Sequence, residues 1–129
     1  MNIPKDLKYS SDHEWVRMEG NVAFVGITDF AQAQLGDIVF VDLPAEGRVI
    51  KVNEGFSVVE SVKAVSDIMA PVSGKIVKVN PALDGAPELI NQDPYGEGWI
   101  VAVELADKSE LDALMDDAAY AKVAAEGGH

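Results

Sequence analysis

The sequence predicts a mainly β protein built as two similar half-sheets packed face to face, and three observations carry that expectation. Phe56 to Val62 and Val65 to Val72 are apolar, β-branched runs about the dipeptide Lys63-Ala64, the pattern of a hairpin with a two-residue loop. The stretch LPAEGRVIKVN at Leu43 to Asn53 recurs as APVSGKIVKVN at Ala70 to Asn80, with Pro44, Gly47 and Asn53 answered by Pro71, Gly74 and Asn80 at a constant shift of 27 residues. No helical period separates the copies, so the duplication is one of short strands sharing a core. Lys63 lies on the connection between them.

Pairing the hairpin arms about Lys63-Ala64 sets Val62 opposite Val65, Ser61 opposite Ser66, Glu60 opposite Asp67 and Val59 opposite Ile68, so like meets like. The loop itself is unusual. Two-residue loops favour Asn-Gly or Asp-Gly, because positive φ costs those residues little, and neither Lys nor Ala shares that tolerance. Turn propensity therefore does not explain Lys63.

The remaining elements follow from local pattern. Glu14 to Met18 and Val22 to Ile27 read as strands joined through Glu19-Gly20-Asn21, with Trp15 and Phe24 as core residues. After this second strand, DFAQAQLG reads as a short helix opened by Asp29, carrying Phe30, Ala31 and Leu35 on one face and stopped by Gly36. Asp37 to Leu43, Arg48 to Val52 and Lys75 to Val79 are strands. Pro81, Gly85, Pro87, Pro94, Gly96 and Gly98 make residues 80–98 a long surface loop, and Leu83, Leu89, Ile90 and Tyr95 pack it on the body. Trp99 to Leu105 is the last strand. Asp107 or Ser109 opens a helix through Leu111, Leu114 and Met115, and a further helical stretch from Ala118 to Glu126 stops at Gly127-Gly128 before a frayed His129. One domain is expected over 1–129, with the repeat at 37–80, the packed loop at 80–98 and a C-terminal helical segment at 107–126.

Composition narrows the chemistry. The 129 residues include no cysteine, which removes disulfides, thiolate metal sites and thiol nucleophiles together. Redox chemistry would have to come from a cofactor. A formal charge of −12 repels nucleic acid and anionic lipid and favours basic surfaces on partner proteins. No apolar run spans a membrane, and the start shows neither a secretory nor an import signal, so a cytoplasmic protein is expected. His13 sits beside Asp12 and Glu14, but adjacent strand residues face opposite ways and no second internal histidine exists, so it reads as a packed or hydrogen-bonded side chain with no metal bound. A Gly-rich phosphate loop and a Gly-x-Ser-x-Gly elbow are both lacking.

The segments EGFSVVESVKAVSDIMAPVSG around Lys63, YSSDHEWVR at Tyr9 to Arg17, VGITDFAQAQLGDIVFVDLP at Val25 to Pro44 and NQDPYGEGW at Asn91 to Trp99 together resemble the H-protein family of the glycine cleavage system, within the lipoyl and biotinyl carrier domains. They occur in the family's order and cover nearly the whole chain. The resemblance implies a two-halved barrel-sandwich hybrid with lipoate in amide linkage to Lys63, and a carrier that is not itself an enzyme. It implies an arm that accepts aminomethyl from the pyridoxal-phosphate glycine decarboxylase (P-protein) and yields it to the aminomethyltransferase (T-protein). Dihydrolipoamide dehydrogenase (L-protein) then reoxidises the dithiol, and a lipoate-attaching enzyme loads the lysine. It further implies that the loaded arm folds back near Glu14 and Asp67, and a monomer is expected. Asp12 stands where the family has a small hydroxyl residue, and Asp12 and Glu60 read as ordinary solvated acids.

Three alternatives remain distinct. Biotin sites resemble Met-Lys-Met, whereas Lys63 is flanked by Val62 and Ala64. A small hydrolase using Glu14, Glu60 or Asp67 would turn over substrate unmodified. An unmodified scaffold or another lipoyl or acyl-relay protein differs only in what Lys63 carries.

Overall fold

The structure, a computed structural model, describes residues 2–126. Its strands are β1 (Lys8–Tyr9), β2 (Glu14–Glu19), β3 (Val22–Ile27), β4 (Ile38–Asp42), β5 (Val49–Ile50), β6 (Gly55–Ser61), β7 (Val65–Met69), β8 (Gly74–Val79) and β9 (Val101–Leu105). They form two antiparallel sheets, one of six strands in the order β1-β2-β3-β9-β8-β5 and one of three in the order β4-β6-β7. The helices are α1 (Asp29–Leu35), the single turns α2 (Ala82–Gly85) and α3 (Leu89–Gln92), and α4 (Asp117–Ala125), with a 3-10 helix over Lys108–Ala113.

Each copy of the repeat crosses once between sheets, from β4 to β5 and from β7 to β8. The matched strands β5 and β8 pair with each other, while β4 and β7 flank β6. The main core lies where the sheets face, with Val25, Ile27, Val59, Ile68, Ile76 and Val101 all buried. A second cluster of Leu7, Tyr9, Trp15, Tyr120 and Ala124 joins the N-terminal strands to α4. Tyr9 and Tyr120 stack there at 4.7 Å between ring centres.

The mainly β, two-sheet architecture agrees with the expectation, but the sheets are unequal. The β2–β3 hairpin pairs with β9, setting Phe24 against Ala102 and Val25 against Val101, and so enlarges one sheet alone. Phe24, expected in the core, is half-buried: it lies on the same face as fully buried Trp15, at the margin of the second cluster, and packs edge-on against Trp99. Helix α1 is capped by Thr28, whose Oγ1 accepts from Ala31 N at 3.2 Å, and Asp29 is its first helical residue. Thr28 has the extended backbone a cap needs, whereas the Asp29 carboxylate accepts from Asn2 N and Gln32 Nε2.

Strand β5 is only Val49–Ile50, and β9 starts at Val101, two residues beyond Trp99. The segment 80–98 does pack through buried Leu83 and Ile90, but as the two helical turns α2 and α3. The predicted helix through Met115 is a 3-10 helix capped by Asp107, and it stops at Ala113 with Leu114 as its cap, while Met115 pairs with Tyr9 through both backbone groups. The expectations for Gly127, Gly128 and His129 lie outside the described residues.

Candidate functional site

Lys63 stands exposed at the β6–β7 tip, but the register differs from the sequence pairing. Glu60 faces Val65, Val59 faces Ser66 and Val58 faces Asp67. Ser61 N donates to Ala64 O at 2.8 Å, so the loop is Val62-Lys63 and not Lys63-Ala64. The cause is the Ser61 hydroxyl. Its Oγ accepts from Ala64 N at 3.0 Å and from Lys63 N at 3.3 Å, replacing the carbonyl that would close a tight turn. The tip therefore needs no positive φ, and among described non-glycine residues only His13 and Asn53 have one. The pairing shift is two residues, so every side chain keeps its expected face. Val62 and Val65 flank the lysine at 70% and 68% exposure.

The tip leans on the turn between α1 and β4. Val62 N donates to Asp37 O at 3.1 Å, and the lysine stem lies over Gly36, where a β-carbon would come within 3.3 Å of Lys63 Cε. Gly36 has φ +83°, so a side chain there would be strained as well as crowded.

Beside this platform opens a cavity of about 250 Å³, with Phe30 and Leu35 of α1 as one wall, Ile27 and Ile68 as apolar lining, and Asp12 and Asp67 among its polar groups. His13 also borders it, and its Nδ1 lies 2.8 Å from the Tyr120 hydroxyl, in keeping with a hydrogen-bonded histidine. Glu14 lines a different cavity, of about 220 Å³, with Ser10, Asn53 and Glu110, and Asp12 borders both. The Glu14 side chain is 2% exposed. Burial pushes its pKa from 4.5 up to about 8; the neighbouring Asp12 charge adds to this, while hydrogen bonds from the Ser10 hydroxyl and the Met69 backbone work against it. Glu14 and Asp67 are thus unlike acids, one nearly neutral inside the fold and one exposed. Glu60 lies on the outward face of the small sheet, between Phe40 and Val65.

Comparison with known proteins places this arrangement. The glycine cleavage H-protein sequence profile matches residues 7–127. The chain belongs to the glycine cleavage H-protein family. It is 63% identical over 126 residues to the glycine cleavage system H protein of Symbiobacterium thermophilum, covering 98% of each chain. It is 53% identical to that of Bacteroides fragilis, over 95% of this chain and 98% of the other. Among solved structures, the glycine cleavage system H protein of Mycobacterium marinum superposes with a TM-score of 0.85 at 42% identity, covering 93% of this chain and 97% of that one.

Sequence reasoning singled out Lys63, Glu14 and Asp67 but missed three residues around them. Ser10, four residues before Glu14, donates to Glu14 Oε1 at 2.6 Å and accepts from Glu14 N at 3.1 Å; an ST-turn signal could have suggested it. Asp12 reads as a solvated acid yet borders both cavities and raises the Glu14 pKa. Asn91 bonds the α1–β4 turn from a segment more than 50 residues away, and no local signal marks it.

Proposed function

We propose that Lys63 carries lipoate in amide linkage and that the chain works as the lipoyl carrier of the glycine cleavage system. The single observation that carries this is an exposed lysine held on a serine-closed hairpin tip beside an apolar cavity, in a chain of the H-protein family. The residues present suit the group. The amine is exposed and reachable by a lipoate-attaching enzyme, and Phe30, Leu35, Ile27 and Ile68 offer apolar lining to an eight-carbon arm. Bound lipoate supplies the disulfide–dithiol pair that accepts an aminomethyl group, which this cysteine-free chain cannot supply itself.

The chain's own residues present and shelter. The Ser61 turn and the Gly36–Ile38 platform fix where the arm begins. Exposed Asp67 offers negative charge to a cationic amine at the cavity mouth. Glu14, whose pKa burial raises to about 8, offers a hydrogen-bonding group whose ionisation a nearby cation would favour. Such contacts contribute about 1.5–3 kcal/mol each when desolvated. Acting as a monomer in the cytoplasm, the carrier presents the same lysine in turn to the glycine decarboxylase, the aminomethyltransferase and dihydrolipoamide dehydrogenase. The charge of −12 favours basic surfaces on all three. The whole described chain, from the N-terminal strands to α4, serves as one carrier domain.

Mass analysis of tryptic peptides from natively expressed protein tests the attachment, with one lipoyl amide expected on Lys63. Lys63→Arg is expected to fold with stability within roughly 0.5 kcal/mol of the parent and to be inert in glycine–bicarbonate exchange. Lipoate on another lysine, biotin on Lys63, or full exchange activity in the variant would overturn the assignment. For the sheltering acids, Asp67→Asn and Glu14→Gln are expected to leave attachment intact while hastening ammonia and formaldehyde release from the loaded carrier. Release rates equal to the parent's would leave both acids without that role.

A further inference from the structure

Asn91, on α3, has its amide saturated by one short stretch of chain. Its Nδ2 donates to Gly36 O and to Gln32 Oε1, each at 2.9 Å, and its Oδ1 accepts from Ile38 N at 2.8 Å. These partners bracket the turn from α1 into β4, whose other side holds the hairpin tip through Asp37 O and the Lys63 stem over Gly36.

The backbone supplies one bond, Gly36 N donating to Gln32 O at 2.9 Å, and buried Ile38, opposite Ser61, anchors the β4 end. Helix α1 contributes no fully buried side chain, and the β4–β6 ladder is irregular between Ile38 and Phe40, directly beneath the tip. A turn between a two-turn helix and an irregular ladder depends on what satisfies its remaining polar groups, Gly36 O and Ile38 N. Here that is a side-chain amide, which both donates and accepts as the turn requires.

We propose that Asn91 is the positioning residue of Lys63: it sets the Gly36–Ile38 turn, and through it the hairpin tip and the direction in which the lysine leaves the surface. The consequence for an attached arm rests on the function proposed above, whereas the placement of the tip does not. Chemistry sharpens the claim. Asn91→Asp keeps an acceptor for Ile38 N but loses both donors and turns a carboxylate toward Gly36 O, and Asn91→Leu keeps the bulk and loses all three bonds.

Tyr95 supplies the control. Its hydroxyl accepts from Asp29 N at 3.0 Å and donates to Asn2 O at 2.6 Å, so Tyr95→Phe loosens the same loop at the far end of α1. Amide hydrogen exchange on the full unmodified chain is the first readout. Both Asn91 variants are expected to speed exchange at Val62 by more than about tenfold while Val25 and Val101 in the large sheet keep parental rates, and Tyr95→Phe is expected to leave Val62 unchanged. The second readout is loading by a lipoate-attaching enzyme, where the Asn91 variants are expected to raise KM for the carrier several-fold at unchanged kcat. Val62 exchange that stays parental, that rises equally in Tyr95→Phe, or that rises only together with Val25 and Val101 would overturn the proposal, as would unaltered KM. Because exchange is read without any modification, and intact mass separately shows what Lys63 carries, failure of this placement and failure of the carrier function give different results.

Discussion

Ile76 in the second copy of the repeat is fully buried in β8, with β5 on one side and β9 on the other, whereas its counterpart Val49 in the first copy is 66% exposed on the edge strand β5. Gly47 turns the chain in open space with φ +91°, while a β-carbon on its counterpart Gly74 would overlap Glu104 O of β9. In the first copy the inward residue is Ile50, opposite Gly74; in the second it is Ile76, so matched residues do not face the same way. Near-identical stretches thus take their roles from the face each position presents, set by its register, and from their neighbours, since β8 lies between β5 and β9 while β5 is an edge.

Substituting matched positions in parallel tests that difference. The largest expected effect is Gly74→Ala, which forces the backbone of β8 away from β9 and is expected to cost more than about 4 kcal/mol, an exceptional value for one methyl group. Gly47→Ala is expected to cost only about 1–2 kcal/mol, the strain of a left-handed alanine in open space. Chemical denaturation of both variants decides it, and equal losses would break the comparison. Ile76→Ala follows at about 3 kcal/mol, from lost transfer energy and the cavity left in the core. Val49→Ala, by the same measurement, is expected within about 0.5 kcal/mol of the parent.

The asparagines that end the two copies diverge equally. Asn80 is buried, and its Nδ2 donates to Glu97 O at 2.7 Å and Trp99 O at 2.8 Å, fastening the packed loop to β8. Asn80→Ala strands two carbonyls and is expected to cost about 2 kcal/mol, read as a lowered denaturation midpoint.

Burial separates the glutamates in the same manner. Exposed Glu54, beside the first copy, is held below its usual pKa by the Lys51 backbone N–H and by Arg48, while buried Glu14 is raised to about 8. For Glu14 the favourable contribution is complete below the unfolded value near 4.5, because both states are then protonated. Between there and pH 8 the unfolded chain has lost its proton and the folded chain keeps it, so stability falls as pH rises, by at most about 1.4 kcal/mol per pH unit. Glu14→Gln is expected to flatten thermal midpoints measured from pH 5 to 8; an unchanged slope would show that Glu14 ionises freely in the fold.

What was legible in the sequence was what local pattern controls. The hairpin arms, the β2–β3 turn at Gly20 and the helix before Gly36 follow from alternation, spacing and turn residues within a few positions. The tip register failed by one residue in each arm because a side chain, Ser61 Oγ, took the hydrogen bond that a backbone carbonyl would have made. Unequal sheets were hidden because β3 finds β9 across more than seventy residues of chain, and no local period encodes that partner. At the site, the exposed Lys63 was legible from its motif, whereas Glu14 is buried with hydrogen bonds from Ser10 and from the Met69 backbone on the distant β7, and the tie from Asn91 to the α1–β4 turn has no sequence neighbour to announce it.

The smallest expected effect belongs to Asn53, the exposed counterpart of Asn80. Its backbone is left-handed, with φ +69°, and its N–H donates to Ala70 O at 2.8 Å, a bond that any non-proline residue supplies. Asn53→Gly relieves up to about 1 kcal/mol of left-handed strain, less than most residues would gain because Asn tolerates that region. The same change frees the unfolded chain and costs about 0.4–1 kcal/mol on that account. The two terms oppose one another at similar size, so the net change is expected within about 0.5 kcal/mol of zero, while Asn53→Val is expected to lose more than 1 kcal/mol, the order of strain for a branched residue in that region. Paired denaturation curves for the two variants separate the terms. A large loss in Asn53→Gly would mean that the Asn53 side chain, like that of Asn80, holds something in place, and the contrast between the two copies would then end one residue short of where the repeat does.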